Sequence, residues 1–357
     1  MYLPQFRAIL KNELVVPEDF TAKGVRSLSP NEIQCAEQIY DWIDRQINRN
    51  QIMIVYRGEK KAHLKKKLAS SGQNIDYGQL LNRLFYFGDK AKFYFSQKRV
   101  PTQGSTPQCI SDTSSATFEF IFRKLSLIVT KSIENPSSER IQKIDEFCQN
   151  ATHKAFVSYF RDEANLPDFL HRNADSSDSS RAERVRDYYL FLLHNFGGGG
   201  IAEMSFFVST SVNPETAMSF AGSKHQKSGK SVVFVHMIPQ PFYKHGIGAL
   251  EVKCVTRDFR YRGIPIYDRE FYPEQEEFSV KGALFPNFML GLYDLELQKF
   301  VVNPHMFGNL DQSINGILFR GIPIDQDDFH ESIRNTGYYG YVSRSWHGKY
   351  SDVLSLR

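Results

Sequence analysis

The chain has 357 residues, of which 41% are hydrophobic, 24% charged and 14% aromatic, with a net charge of +4. That length predicts one elaborated domain or two ordinary ones, and 29 Phe and 18 Tyr supply enough large apolar groups to exclude wholesale disorder. Runs of apolar residues are too short for a transmembrane span, four scattered cysteines offer neither a zinc spacing nor a disulfide framework, and +4 over this length is too weak to imply nucleic acid.

The N-terminal stretch carries Pro4, Lys11 and Glu13 where a signal peptide needs an unbroken apolar run, which predicts a cytoplasmic protein at synthesis. Residues 1–50 read as an N-terminal helical region. Ser29-Pro30-Asn31-Glu32 is a helix start, with a cap, an early proline and a capping-box glutamate. Ile33, Ala36, Tyr40, Ile43 and Ile47 follow at helical spacing. The β-branched run Ile52–Tyr56 predicts a buried strand, the first of the core, over 51–59.

From 60 to 200 the periodicity is helical. Phe118, Ile121, Phe122, Leu125, Ile128 and Val129 share one face. Ile141, Ile144, Cys148, Ala151, Ala155 and Tyr159 share a second, and Ala182, Val185, Tyr189, Leu192 and Phe196 a third. Gly197–Gly200 ends that pattern. Strands are then predicted at 204–208, 231–238, 250–255, 276–280, 288–293 and 300–302, with a C-terminal extension over 326–357. The whole reads as an α+β protein in which a helical block, 60–200, interrupts a core completed by 201–325.

Three segments carry chemistry. Val55-Tyr56-Arg57-Gly58 ends the first strand, Phe207-Val208-Ser209-Thr210-Ser211 forms a later one, and Glu274-Gln275-Glu276 opens another. In this order they resemble the arginine–serine–glutamate signature of mono-ADP-ribosyltransferases, the group of bacterial toxins, translocated effectors and vertebrate ecto-enzymes. The resemblance is confined to these short stretches. It implies a core of two packed, mainly antiparallel sheets, with NAD as co-substrate and no metal. The implied reaction is transfer of ADP-ribose to an arginine of a target protein, and delivery into a host cytosol follows from the toxin and effector members. Water or a non-arginine side chain as acceptor, and a non-catalytic interaction module, are the other readings.

The residue types suit that chemistry. Arginine holds a phosphate bidentately, which makes Arg57 the candidate for the NAD phosphates, and Gly58 would let the backbone approach the nicotinamide amide. The resemblance assigns Ser209 to the ribose and to orienting the reacting glutamate, with Thr210 and Ser211 bracing it. Phe220 is either a nicotinamide-stacking ring or a core residue. Cleavage of the nicotinamide–ribose bond passes through an oxocarbenium-like state that one carboxylate can stabilise, because nicotinamide departs neutral. Glu276 matches that carboxylate. Glu274, two residues earlier on the expected strand, faces the same side and would orient an arginine acceptor, while Glu277 falls on the opposite face as a structural residue. In the family, glutamate at the earlier position accompanies arginine acceptors and glutamine accompanies others. Phe271 or Tyr272, in the loop just upstream, would recognise the protein substrate or pack into the core.

Two features are set aside. Ser228-Gly229-Lys230-Ser231 resembles the end of a phosphate-binding loop, but position 224 is lysine where glycine is needed and a strand follows instead of a helix. The basic run Lys60–Lys67 reads as a solvated helix face, or as an attractor of NAD phosphates or an acidic target.

Overall fold

The computed structural model describes residues 14–18, 24–68, 74–90, 113–132, 138–174, 179–196, 207–222, 230–240, 242–249, 251–253, 273–281, 283–284 and 288–304. The expected extension at 326–357, Phe271 and Tyr272, expected to recognise a substrate or pack into the core, and Cys109 and Cys254 lie outside these.

A nine-stranded sheet organises the molecule. Its strands are β1 (Leu14–Pro17), β2 (Val25–Ser27), β3 (Ile52–Lys60), β5 (Phe207–Ser211), β6 (Ser231–Pro239), β7 (Gly246–Gly248), β8 (Glu277–Lys281), β10 (Met289–Asp294) and β11 (Lys299–Val302). They run in the order β2-β1-β11-β10-β6-β3-β5-β8-β7. Every pairing is antiparallel except β1 with β11. A separate ribbon joins β4 (Asp89–Lys90) to β9 (Ala283–Leu284).

Two expectations are corrected here. The N-terminal region is not purely helical, because Leu14–Pro17 and Val25–Ser27 are strands that extend the sheet beyond β11. Nor do the core strands form two packed sheets: a single ladder runs through all nine. It is narrowest between β3 and β5, which share one residue pair, Tyr56 with Ser211, whereas β3 pairs with β6 from Ile52 to Lys60. The ladder is thus continuous but close to divided at that seam.

Helix α1 (Pro30–Asn48) begins as its sequence dictates. The Ser29 hydroxyl accepts from the Glu32 amide, the Glu32 carboxylate accepts from the Ser29 amide, and Arg26 grips the same carboxylate. The Arg26 hydrogen bond holds the Glu32 pKa down at about 2, against a burial effect in the other direction. Ile39 and Ile43 are buried beneath the helix, while Ile33 is exposed in its first turn.

Between β3 and β5 the described residues are helical apart from β4. Helices α2 (Lys61–Leu68) and α3 (Tyr77–Phe87) come first. They are followed by α4 (Ser115–Val129), α5 (Ser138–Gln149), α6 (Lys154–Arg161), α7 (Leu166–Asn173) and α8 (Ser179–Phe196). The last five share an aromatic core. Phe122 meets Phe160 at 5.3 Å between ring centres, Phe160 meets Phe169 at 5.5 Å, and Phe169 meets Tyr189 at 5.3 Å. Tilted and edge-on rings at such spacings add favourable quadrupole contacts to the burial itself. Ile141, expected on an inward face, is exposed.

Two buried ionic clusters tie this helical block to the sheet. Asp187 of α8 pairs with Arg186 and with Lys281 of β8. Lys61 reaches Asp294 and Glu296 at 2.8 Å each, and the Tyr77 hydroxyl also donates to Asp294. Lys61 is therefore a buried anchor and not part of a solvated basic face. No helix among the described residues is long and apolar enough to cross a membrane.

Candidate functional site

The seam between β3 and β5 is where the singled-out residues gather. Arg57, six residues into β3, presents its guanidinium to three acceptors. Nε donates to Asp89 at 2.8 Å, Nη1 to the Ser209 carbonyl at 2.7 Å and Nη2 to Glu59 at 3.0 Å. The Nη1 bond joins β3 to β5 just beyond the point where backbone pairing stops, so the side chain acts as a clasp across the seam. Burial works against the charge, but Asp89 and then Glu59 outweigh it, and the Arg57 pKa is raised. The bidentate phosphate role expected for Arg57 is thus left to its remaining Nη protons, beside two carboxylates.

Gly58 points the other way, as successive strand residues must. A Cβ there would lie 1.8 Å from the Ala217 carbonyl oxygen and 2.7 Å from the Ala221 amide. The first belongs to α9 (Pro214–Phe220) and the second to the residue that caps its end; the start of α9 is capped by the Asn213 side chain on the Glu215 amide. The structure therefore explains this glycine by close packing of α9 on β3. We expect Gly58→Ala to destabilise the protein by about 1–3 kcal/mol, the range for overpacking a tight contact. Urea unfolding checks this, and an unchanged midpoint would contradict it. Phe220 ends α9 with 59% of its surface exposed, so its core alternative fails. It lies on the helix covering the face of β3 opposite the Arg57 guanidinium.

On β5, side chains alternate. The Thr210 hydroxyl donates to the Phe278 carbonyl, and the Ser211 hydroxyl donates to the Gln275 carbonyl at 2.7 Å while accepting from the Asn213 amide at 3.0 Å. These two bonds hold β5 against β8 and against the turn before it. Ser209 faces the helical block instead. Its hydroxyl lies 2.7 Å from Nε2 of His194, on α8.

The acidic segment departs from expectation in a way that changes its chemistry. Pro273–Gln275 is a short 3-10 turn, Glu276 follows in the left-handed region at φ 46°, and the strand starts only at Glu277. The Val212 amide donates to the Glu276 carbonyl at 3.1 Å and helps hold that conformation. Glu274 and Glu276 are therefore not alternate residues of one strand face. Glu274 is exposed on the turn and Glu276 is half-buried in it. Glu277, in register with Ser211, shares a face with Ser279 and Ser209. Its carboxylate is 13% exposed. It accepts from the Ser279 hydroxyl at 2.7 Å and faces His194 Nε2 at 3.3 Å. Burial alone would raise its pKa. Hydrogen bonds and charge from His194, with the Ser279 and Ser209 hydroxyls, more than reverse that, so it is lowered and the carboxylate is held charged at neutral pH.

Sequence reasoning missed Glu277, His194, Glu59 and Asp89 as members of this cluster. Ser, His and Glu together raise the question of a hydrolase triad, and the geometry answers it. In a triad the acid bonds one ring nitrogen while serine uses the other. Here Ser209 and Glu277 both face Nε2, so the histidine cannot pass a serine proton under the acid's guidance. The arrangement instead gathers a hydroxyl and an imidazole N–H around one carboxylate, which suits stabilising positive charge on a bound substrate. Among the described residues no group of three or more His, Cys, Asp and Glu side chains could hold a metal ion. The chain matches no family profile, no curated protein and no solved structure.

Proposed function

We propose that this protein transfers ADP-ribose from NAD to a side chain of a target protein, releasing nicotinamide. One observation carries the reading. Arg57, Ser209 and a strand-opening glutamate, far apart in sequence, gather beside one seam: Arg57 bonds the Ser209 carbonyl, and the Ser209 hydroxyl and the Glu277 carboxylate both face His194 Nε2. The arginine–serine–glutamate resemblance implies such a gathering of the three residue types, with Glu276 as its glutamate. In this reading the bond between nicotinamide nitrogen and ribose C1′ breaks, and its electron pair leaves with the ring, which departs neutral. A carboxylate faces the positive charge developing on C1′ and O4′, and the acceptor attacks C1′. Burial, the lowered pKa and the contacts with Ser279 and His194 support Glu277 as that carboxylate in preference to Glu276. Arg57 holds β5 in place and turns its remaining Nη protons toward the phosphates. Gly58, packed against the 214–221 segment, and Phe220, on the opposite face of β3, lie away from this cluster and take no part in the reading.

For the acceptor we take arginine first. Glu274, exposed on the adjoining turn, can orient a guanidinium from a target protein. One observation favours a second reading: with Glu277 as the reacting group, the residue two positions earlier is Gln275, the type that accompanies non-arginine acceptors or water in the resembled family. Labelled NAD added to a host-cell lysate distinguishes them. Glu274→Ala is expected to remove protein labelling while sparing slow NAD hydrolysis. Equal loss of both would end its acceptor role, and label found by mass spectrometry on a non-arginine residue would decide for the second reading. Host proteins are the proposed targets, by analogy with toxins and effectors.

A further inference from the structure

We infer that His194, supplied by the helical block, is the positioning residue that holds Ser209 and Glu277 in their working geometry. This rests on the reading of Glu277 given above and adds to it a residue outside the three segments, on the helical block that interrupts the core.

His194 lies near the end of α8, with its side chain 15% exposed. The Phe207 ring stands edge-on to it, 6.0 Å away between centres, and limits its tilt. Nε2 is 2.7 Å from the Ser209 hydroxyl and 3.3 Å from Glu277 Oε1. A carboxylate only accepts, so the bond to Glu277 requires the proton on Nε2, and the Ser209 hydroxyl is then free to donate to the same carboxylate. The imidazole thus selects one arrangement of two side chains on neighbouring strands.

The charged surroundings come from several elements. Glu277 is reached by the charge of Arg57 from β3, whose guanidinium is itself held by Glu59 and by Asp89 of β4. Further along β8, Lys281 pairs with Asp187 of α8. That pair fixes α8 against β8 two turns before His194, so a helix distant in sequence meets the seam at a set height. The helical block is in this way part of the site's frame.

Glutamine places its amide nitrogen near the position of a histidine Nε2, so His194→Gln can keep the N–H while losing the ring, and His194→Ala loses both. The test uses the full chain and two readouts: the pH titration of the Glu277 carboxyl by carbon-13 NMR, and kcat and KM for nicotinamide release from NAD. His194→Ala is expected to move the Glu277 titration upward. It should also lower kcat by about tenfold to a hundredfold with KM little changed, the size of losing one hydrogen bond to a charged group. His194→Gln should recover much of kcat. A Glu277 titration unmoved in both variants overturns the inference, whatever the rates do. An upward shift in a protein whose wild type releases no nicotinamide supports the contact between His194 and Glu277 and overturns the enzymatic reading instead.

Discussion

Replacing Glu277 by Gln is expected to slow nicotinamide release from NAD by about a hundredfold to a thousandfold, the usual cost of removing one preorganised electrostatic partner of a transition state. The substitution keeps the shape of the side chain and removes its charge. Oε1 of the new amide can still accept from Ser279 and from His194 Nε2, so the strand and its neighbours stay in place. The loss should therefore appear in kcat, while the hydrogen bonds from Ser279 and His194 hold the side chain in place. Glu276→Gln should have a much smaller effect. Glu276 sits in a left-handed turn before the strand, whereas Glu277 receives the serine, the histidine and the reach of Arg57. If Glu276→Gln removed nicotinamide release and Glu277→Gln left it intact, the reacting carboxylate would be the turn residue expected from sequence.

Arg57→Met is expected to cost about 3–5 kcal/mol of folding stability, the range for breaking a buried ion pair from one side. Asp89 is 1% exposed and accepts from Arg57 Nε, and Arg57 itself is 18% exposed, so solvent offers little compensation for the lost pair. The Ser209 carbonyl loses its donor in the same step, at the place where β3 and β5 share a single residue pair. Urea unfolding of the single variant and of Arg57→Met combined with Asp89→Asn separates these effects. The double variant should regain a large part of the loss, because the Asp89 charge is gone, and the remainder reports the clasp on Ser209. A cost below about 1 kcal/mol in the single variant would mean that the ion pair is worth no more than an exposed one, and that Arg57 does not hold the seam.

Local signals in this sequence are legible where the physics is local. Ser29-Pro30-Asn31-Glu32 specifies its helix start through bonds between residues three apart, and the structure has them. Ile52–Tyr56 reads as a strand because β-branched residues suit a buried pleat, and β3 begins at Ile52. Leu14–Pro17 is harder to read. One partner, β11, lies at the far end of the described chain, and the nearby one, β2, is a three-residue, mostly exposed strand with no apolar alternation to announce it. The same holds for residues 251–253, expected within a strand and found helical.

The candidate site divides along the same line. Arg57 and Ser209 stand out by type and setting, and the fold brings them together. The glutamate register was not legible, because one residue at positive φ after a 3-10 turn shifts the alternation by one position, and no pattern in Glu274–Glu277 announces where the strand begins. Asp89 and His194 carry no motif at all. They join the site only through tertiary approach, the first on a two-residue strand and the second on a helix whose stripe reads as core. Gly58 illustrates the converse: its place beside Arg57 suggested a ligand, while the atom nearest to it belongs to α9.

The most direct measurement is release of nicotinamide from NAD labelled separately in the nicotinamide ring and in the adenine, by the full chain with and without a host-cell lysate. The account predicts slow release alone, faster release with lysate, and transfer of the adenine-side label to protein, all suppressed by Glu277→Gln. No release above the uncatalysed background in either condition would contradict it.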